Sequence, residues 1–197
     1  MTLDAVPFPL EWQLPPAGEP ESGPDWLAFA AGPQTDLFAD PGGAPARVEP
    51  PLLLGVPAGD YQLGARVSAR LEATYDAAAL VVWSSETSWA KLALERSPQG
   101  DPTIVTVVTR GLSDDVNSFA VPAGVAWLRV ARLGAAYAFH ASLDGTWWSL
   151  IRYFTLDGAE TASVGFSVQS PTGDGTQGRF EAIAWRPERL AELRDGS

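Results

Sequence analysis

The feature that most constrains this chain is an alternation of apolar and polar side chains that restarts roughly every ten residues. In YQLGARVSARL, residues 61–71, Leu63, Ala65, Val67, Ala69 and Leu71 share one face, and Gln62, Arg66, Ser68 and Arg70 the other. Neighbouring strand side chains point to opposite faces, so this is the pattern of a half-buried β-strand. AALVVWSS (78–85), WAKLALER (89–96), TIVTVVTR (103–110), AWLRVAR (126–132), AYAFHASLD (136–144), WWSLIRYF (147–154), ASVGFSVQS (162–170) and GRFEAIAW (178–185) follow the same rule. They are rich in β-branched and aromatic residues and are bounded by Gly, Pro, Asp or Asn. Strands at this spacing predict an all-β fold, a two-sheet antiparallel sandwich or jelly roll. Asp144-Gly145 predicts a hairpin turn, since Gly accepts positive φ. Trp147 and Trp148 follow it on what reads as a strand, so one of them is expected in the core and the other on the opposite face. The one helical segment is PERLAELR, 187–194, which opens with Pro and is expected as a short external C-terminal helix. DPGGAPARVEPP (40–51) and the stretch 15–24 read as loops too short to separate two cores. A single domain over 1–197 is therefore expected.

Composition narrows the function classes. The net charge is −11 and Lys91 is the only lysine. No basic stripe exists to neutralise phosphates, which argues against nucleic acid and against anionic membrane surfaces as partners. There is no cysteine, so disulfides, thiolate catalysis and Cys-based zinc sites are excluded. The opening MTLDAVPFPLEW has no basic region followed by an apolar run, and no stretch is long and apolar enough to span a bilayer. A cytoplasmic location is the expectation.

Five motifs in order carry a family resemblance: Trp89-x-Lys91-x-x-x-Glu95, TVVTRGLSDD (106–115), LRVAR (128–132), FHASLDGTWWSLIR (139–152) and VGFSVQSP (164–171). Over about residues 26–185 the chain resembles the domain of unknown function 1349 family, which includes the regulation-of-enolase proteins. That family is similar to concanavalin A-like lectins and glucanases. The resemblance implies a jelly roll of two curved sheets with a concave face where relatives bind sugars, and it implies no established catalysis.

Strand alternation sorts the candidate residues by face. Leu92 and Leu94, Leu128 and Val130, Tyr137 and Phe139, and Val164, Phe166 and Val168 belong in the core. If the strands share one sheet, its other face collects Trp89, Lys91, Glu95, Trp127, Arg129, His140, Ser142 and Gln169. Flat indoles with hydrogen-bonding side chains are what a sugar needs, because CH-rich ring faces stack and hydroxyls take directional bonds. Trp89 and Trp127 would stack, with polar contacts from Lys91, Glu95, Arg129, His140 and Gln169. Glu95 is the candidate acid or base, with an ion pair to Lys91 or Arg129 as the plainer role. His140, the lone histidine, reads more readily as a hydrogen-bonded structural residue than as a catalyst. His140 and Ser142 lie two apart on one strand, but no Gly-x-Ser-x-Gly elbow accompanies them. Retaining glycosidases need two carboxylates about 5–5.5 Å apart. Here Lys91 and Ala93 stand where a strand neighbour of Glu95 would supply the second. The stretch LSDDVNS, 112–118, reads as an acidic loop, and Asp114, Asp115 and Asn117 are oxygen ligands of the kind Ca²⁺ prefers, at a spacing that matches no EF-hand. The leading function is recognition of a carbohydrate or glycoside without a cofactor. The alternatives are a glycoside hydrolase-like enzyme using Glu95 and a module that binds a protein partner.

Overall fold

The computed structural model describes residues 1–197. The first half forms β1 (Glu11–Leu14), β2 (Glu21–Ser22), β3 (Leu27–Ala31), β4 (Leu37–Phe38), β5 (Arg47–Val48), β6 (Leu52–Gly55), β7 (Tyr61–Ala69), β8 (Ala77–Ser85) and β9 (Ser88–Arg96). The second half forms β10 (Pro102–Arg110), β11 (Leu112–Ala120), β12 (Val125–Leu133), β13 (Ala136–Ser142), β14 (Ser149–Thr155), β15 (Ser163–Gln169) and β16 (Thr176–Arg186). Two seven-stranded antiparallel sheets result, ordered β1-β6-β15-β8-β9-β10-β11 and β14-β13-β12-β7-β16-β3-β2, with β4 and β5 paired as a separate ribbon. This is the expected all-β jelly-roll sandwich.

The alternation reports the inner faces correctly. Leu80, Leu92, Leu94, Ile104 and Phe166 from the first sheet meet Val67, Leu128, Val130, Tyr137, Phe139 and Phe180 from the second in one cluster of 35 buried residues. Each such side chain contributes on the order of 1.5–3 kcal/mol by leaving water. Gly165 shows how tightly strands approach here. A Cβ at this position on β15 would lie 1.9 Å from the Leu53 carbonyl oxygen of β6, so no other residue fits without moving the backbone.

Several local expectations are corrected. Residues 187–194 form no helix. A segment this short is marginal as a helix in water, and here Leu190 and Leu193 lie instead over Ala131, Leu133 and Ala138 on the outer face of the second sheet. Residues 112–118 are no loop but most of the edge strand β11. One ladder to β10 satisfies half of its backbone groups, and its charged side chains face solvent, a composition suited to an edge. The loops 15–24 and 40–51 each contribute a two-residue strand, β2 and β5. The hairpin after β13 is longer than a tight turn. Asp144 Oδ1 accepts from Thr146 N and Trp147 N at 2.8 Å each, which holds both tryptophans in the connection ahead of β14. Neither enters the core: Trp147 is 77% exposed and Trp148 is half-buried.

Candidate functional site

Lys91 and Glu95 lie on the outer face of β9, with Trp89 and Ala93. Over this face folds the β4–β5 ribbon. Leu37, Phe38 and Val48 pack with Trp89, Val107 and the outer side chains of β8 in a second apolar cluster. Trp89 is therefore fully buried, and the expectation that it stacks on a ligand is overturned. Alternation put it on the right face but carries no information about what covers that face. Lys91 is also buried. Its Nζ donates to the Leu37 carbonyl and to Gln169 Oε1, both at 2.8 Å, so it ties the ribbon to the sheet. With Lys91 committed to neutral oxygens, Glu95 has no ion pair. Burial pushes its carboxyl up to about 7, with Lys91 pulling the other way and Asp115 and Asp36 adding to the rise.

Beside the ribbon a pocket of about 360 Å³ opens. Its polar lining is Asp36, Lys91, Glu95, Asp115, Asn117 and Gln169, and Phe38, Tyr75 and Val107 supply apolar wall. Asp115 and Asn117 reach it because they are two apart on β11, opposite Val107 and Val105. Tyr75 stands at the opening, 40% exposed, with φ +70. A bulky residue in the left-handed region is a backbone outlier, and such outliers cluster at functional sites. Asp36, Phe38 and Tyr75 escape sequence reasoning because they lie in an irregular connection, a two-residue strand and a turn, where no period marks them.

The remaining candidates lie elsewhere. Trp127 and Arg129 on β12, and His140 and Ser142 on β13, project from the outer face of the second sheet, with the whole core between them and Glu95. The single face expected from the sequence is thus two faces. Ser142 Oγ bonds Asp144 Oδ1 at 3.0 Å and accepts from Gly145 N at 2.9 Å, a turn-capping role. His140 is fully buried with Nε2 2.7 Å from the Leu193 carbonyl. A carbonyl only accepts, so Nε2 carries the proton. Nδ1 is buried without a partner, and desolvation lowers the imidazole to about 4. Buried and bonded to Leu193, His140 offers no ring nitrogen at the surface, against its place among the expected ligand contacts.

The calcium candidates do not converge. Asp114 and Asp115 are adjacent on a strand and point to opposite faces, and Asp114 pairs with Arg152 of β14 at 2.9 Å. No group of three or more His, Asp or Glu side chains in the structure is placed to hold a metal ion.

The fold, a sandwich of two antiparallel sheets, is shared with several solved structures. A domain of Entamoeba histolytica described as legume lectin-like superposes with a TM-score of 0.52 at 9% identity, covering 91% of this chain and 90% of that one. A xylan β-1,4-xylosidase from Bacillus halodurans superposes at 0.59 with 10% identity over 85% of this chain but only 38% of the enzyme, so the likeness is to a part of it. A functionally unknown protein from Saccharomyces cerevisiae reaches 0.82 at 21% identity over 90% of this chain and 95% of that one. No curated protein matches the chain. Residues 12–188 match the model of the protein of unknown function family DUF1349, and the chain belongs to that family.

Proposed function

We propose that the pocket between the β4–β5 ribbon and the first sheet binds a carbohydrate. The observation that carries this reading is the lining itself. Six hydrogen-bonding side chains and two aromatic rings border one opening of about 360 Å³, a volume suited to one or two sugar rings. Tyr75 and Phe38 take the stacking role first expected of Trp89 and Trp127, and Lys91, Glu95, Asp115, Asn117 and Gln169 meet hydroxyls. Glu95, protonated in part near neutral pH, donates as well as accepts. The lectin-like and xylosidase neighbours support the reading through fold only.

The test is a thermal-shift and tryptophan-fluorescence screen against neutral mono- and oligosaccharides. A ligand that binds only the folded state raises its apparent stability. Binding that Tyr75→Ala weakens about tenfold or more, by loss of stacking worth roughly 1–2 kcal/mol, supports the reading. A folded protein with no hit across the panel removes it. A second reading, hydrolysis with Glu95 as general acid, is favoured by the raised carboxyl alone. Turnover of a bound glycoside that Glu95→Gln abolishes while binding persists would establish it.

A further inference from the structure

A different cleft, on the outer face of the second sheet, carries its own inference. It encloses about 490 Å³ and is lined by Trp127, Arg129, Trp148, Arg186, Gln62 and Gly64, with the end of the chain at one side. We propose that it binds a ring-bearing carboxylate, such as a uronic acid, with the carboxylate between Arg129 and Arg186 and the ring against Trp127 and Trp148.

The argument begins with Arg129. The residue is 7% exposed and makes no ion pair. Of its five donors, one hydrogen bond is formed, from Nη2 to the Gly196 carbonyl at 2.6 Å, and Nε is buried without a partner. A buried cation without an anion is costly and uncommon. The same cleft holds a second arginine, Arg186, which is exposed and also lacks an acidic partner. Neither arginine of the cleft is paired with an acidic side chain, and one of the two is buried. Desolvation, and then the charge of Arg186, lower Arg129 to about 10, a cost that a bound anion would relieve. The nearby acids are engaged elsewhere: Glu181 takes Arg66 and Arg179, Asp195 accepts from Ser197 N, and the Ser197 carboxylate accepts from Ala191 N and Glu192 N.

The geometry also selects the class of anion. The guanidinium carbon of Arg129 sits over the Trp148 ring, 4.1 Å from its centroid, which holds the donor fork against that wall. A planar fork matches a carboxylate in two parallel hydrogen bonds. Gly64, opposite Arg129 in register on β7, places no side chain over the floor. Trp127, half-buried, forms a second wall. Gln62 adds an amide for a hydroxyl. On the far side β16 bulges between Glu181 and Ala184, with Ala182 at φ +46, and the bulge sets Ala184 and Arg186 along the cleft.

The test uses the whole protein, with glucuronate, glucose and inorganic phosphate as probes and tryptophan fluorescence at low salt as readout. Expected is saturable quenching by glucuronate that depends on Arg186, no Arg186-dependent quenching by glucose at equal concentration, and weak or no competition from phosphate. Arg186→Gln, at an exposed position that leaves the fold intact, should weaken glucuronate about tenfold or more, and Arg186→Lys less, because charge survives and the fork does not. Raising salt should weaken the wild-type complex. Equal binding of glucose, or of phosphate, that Arg186→Gln weakens overturns the ring-carboxylate class. Glucuronate binding that Arg186→Gln leaves unchanged, or no binding at all by the folded protein, overturns the site.

Discussion

At Glu95 and His140 burial works against the charged form of each side chain, with opposite consequences for how stability follows pH. Glu95 is raised from 4.5 to about 7, so the native state holds a proton that the unfolded chain has released. Its contribution is full below about pH 4.5 and is lost as pH rises through 7, up to about 3 kcal/mol. His140 is lowered from 6.5 to about 4, so the unfolded chain binds the extra proton. Its contribution is full above pH 6.5 and is lost as pH falls through 4, again up to about 3 kcal/mol. Between roughly pH 4.5 and 6.5 the two slopes oppose each other. Thermal melts across this range should therefore separate them. Glu95→Gln should make stability fall on acidification from 6.5 to 4 and should raise it above pH 7. His140→Gln should leave a protein that loses stability as pH rises from 4.5 to 7. A Glu95→Gln profile parallel to that of the wild type would refute the account.

At the scale of the element, two connections decide what the sheets present. The β4–β5 ribbon is tied to the first sheet through Lys91, and its loss strands two acceptors, Leu37 O and Gln169 Oε1, beside the pocket. Lys91→Met should cost about 2–3 kcal/mol and speed amide exchange across residues 36–49 before other segments. Uniform acceleration, or none, would argue that apolar packing alone holds the ribbon. The β13–β14 hairpin depends on Gly145, at φ +77, where an added Cβ would come 2.8 Å from the Trp127 ring. Gly145→Ala should destabilise by more than about 1 kcal/mol, and should shift Trp127 fluorescence while leaving the first pocket intact. The hairpin was legible in the sequence as a turn. The place of its tryptophans was not, because Asp144 takes the amides of Thr146 and Trp147 and delays the start of β14.

At the scale of the molecule, β11 and β14 end the two sheets on the same side, and the Arg152–Asp114 pair bridges them. The pair is worth at most about 1 kcal/mol with Asp114 so exposed, but the acids have a second effect. Asp114 and Asp115 put charge on an edge strand that has unpaired backbone groups and exposes Leu112 and Val116. Asp114→Val/Asp115→Val should associate edge to edge, visible as larger species in sedimentation velocity, and a monomer unchanged at high concentration would disprove it. What the sequence determined by itself was the facing of side chains. Leu92, Leu128, Phe139 and Phe166 go inward because alternation is a local property of extended backbone. Only the tertiary structure decided that β9 and β12 belong to different sheets, that the β4–β5 ribbon buries Trp89, and that Arg129 lacks an anion. Each of these depends on partners distant in sequence, and a two-residue period repeats identically whichever neighbour a strand takes.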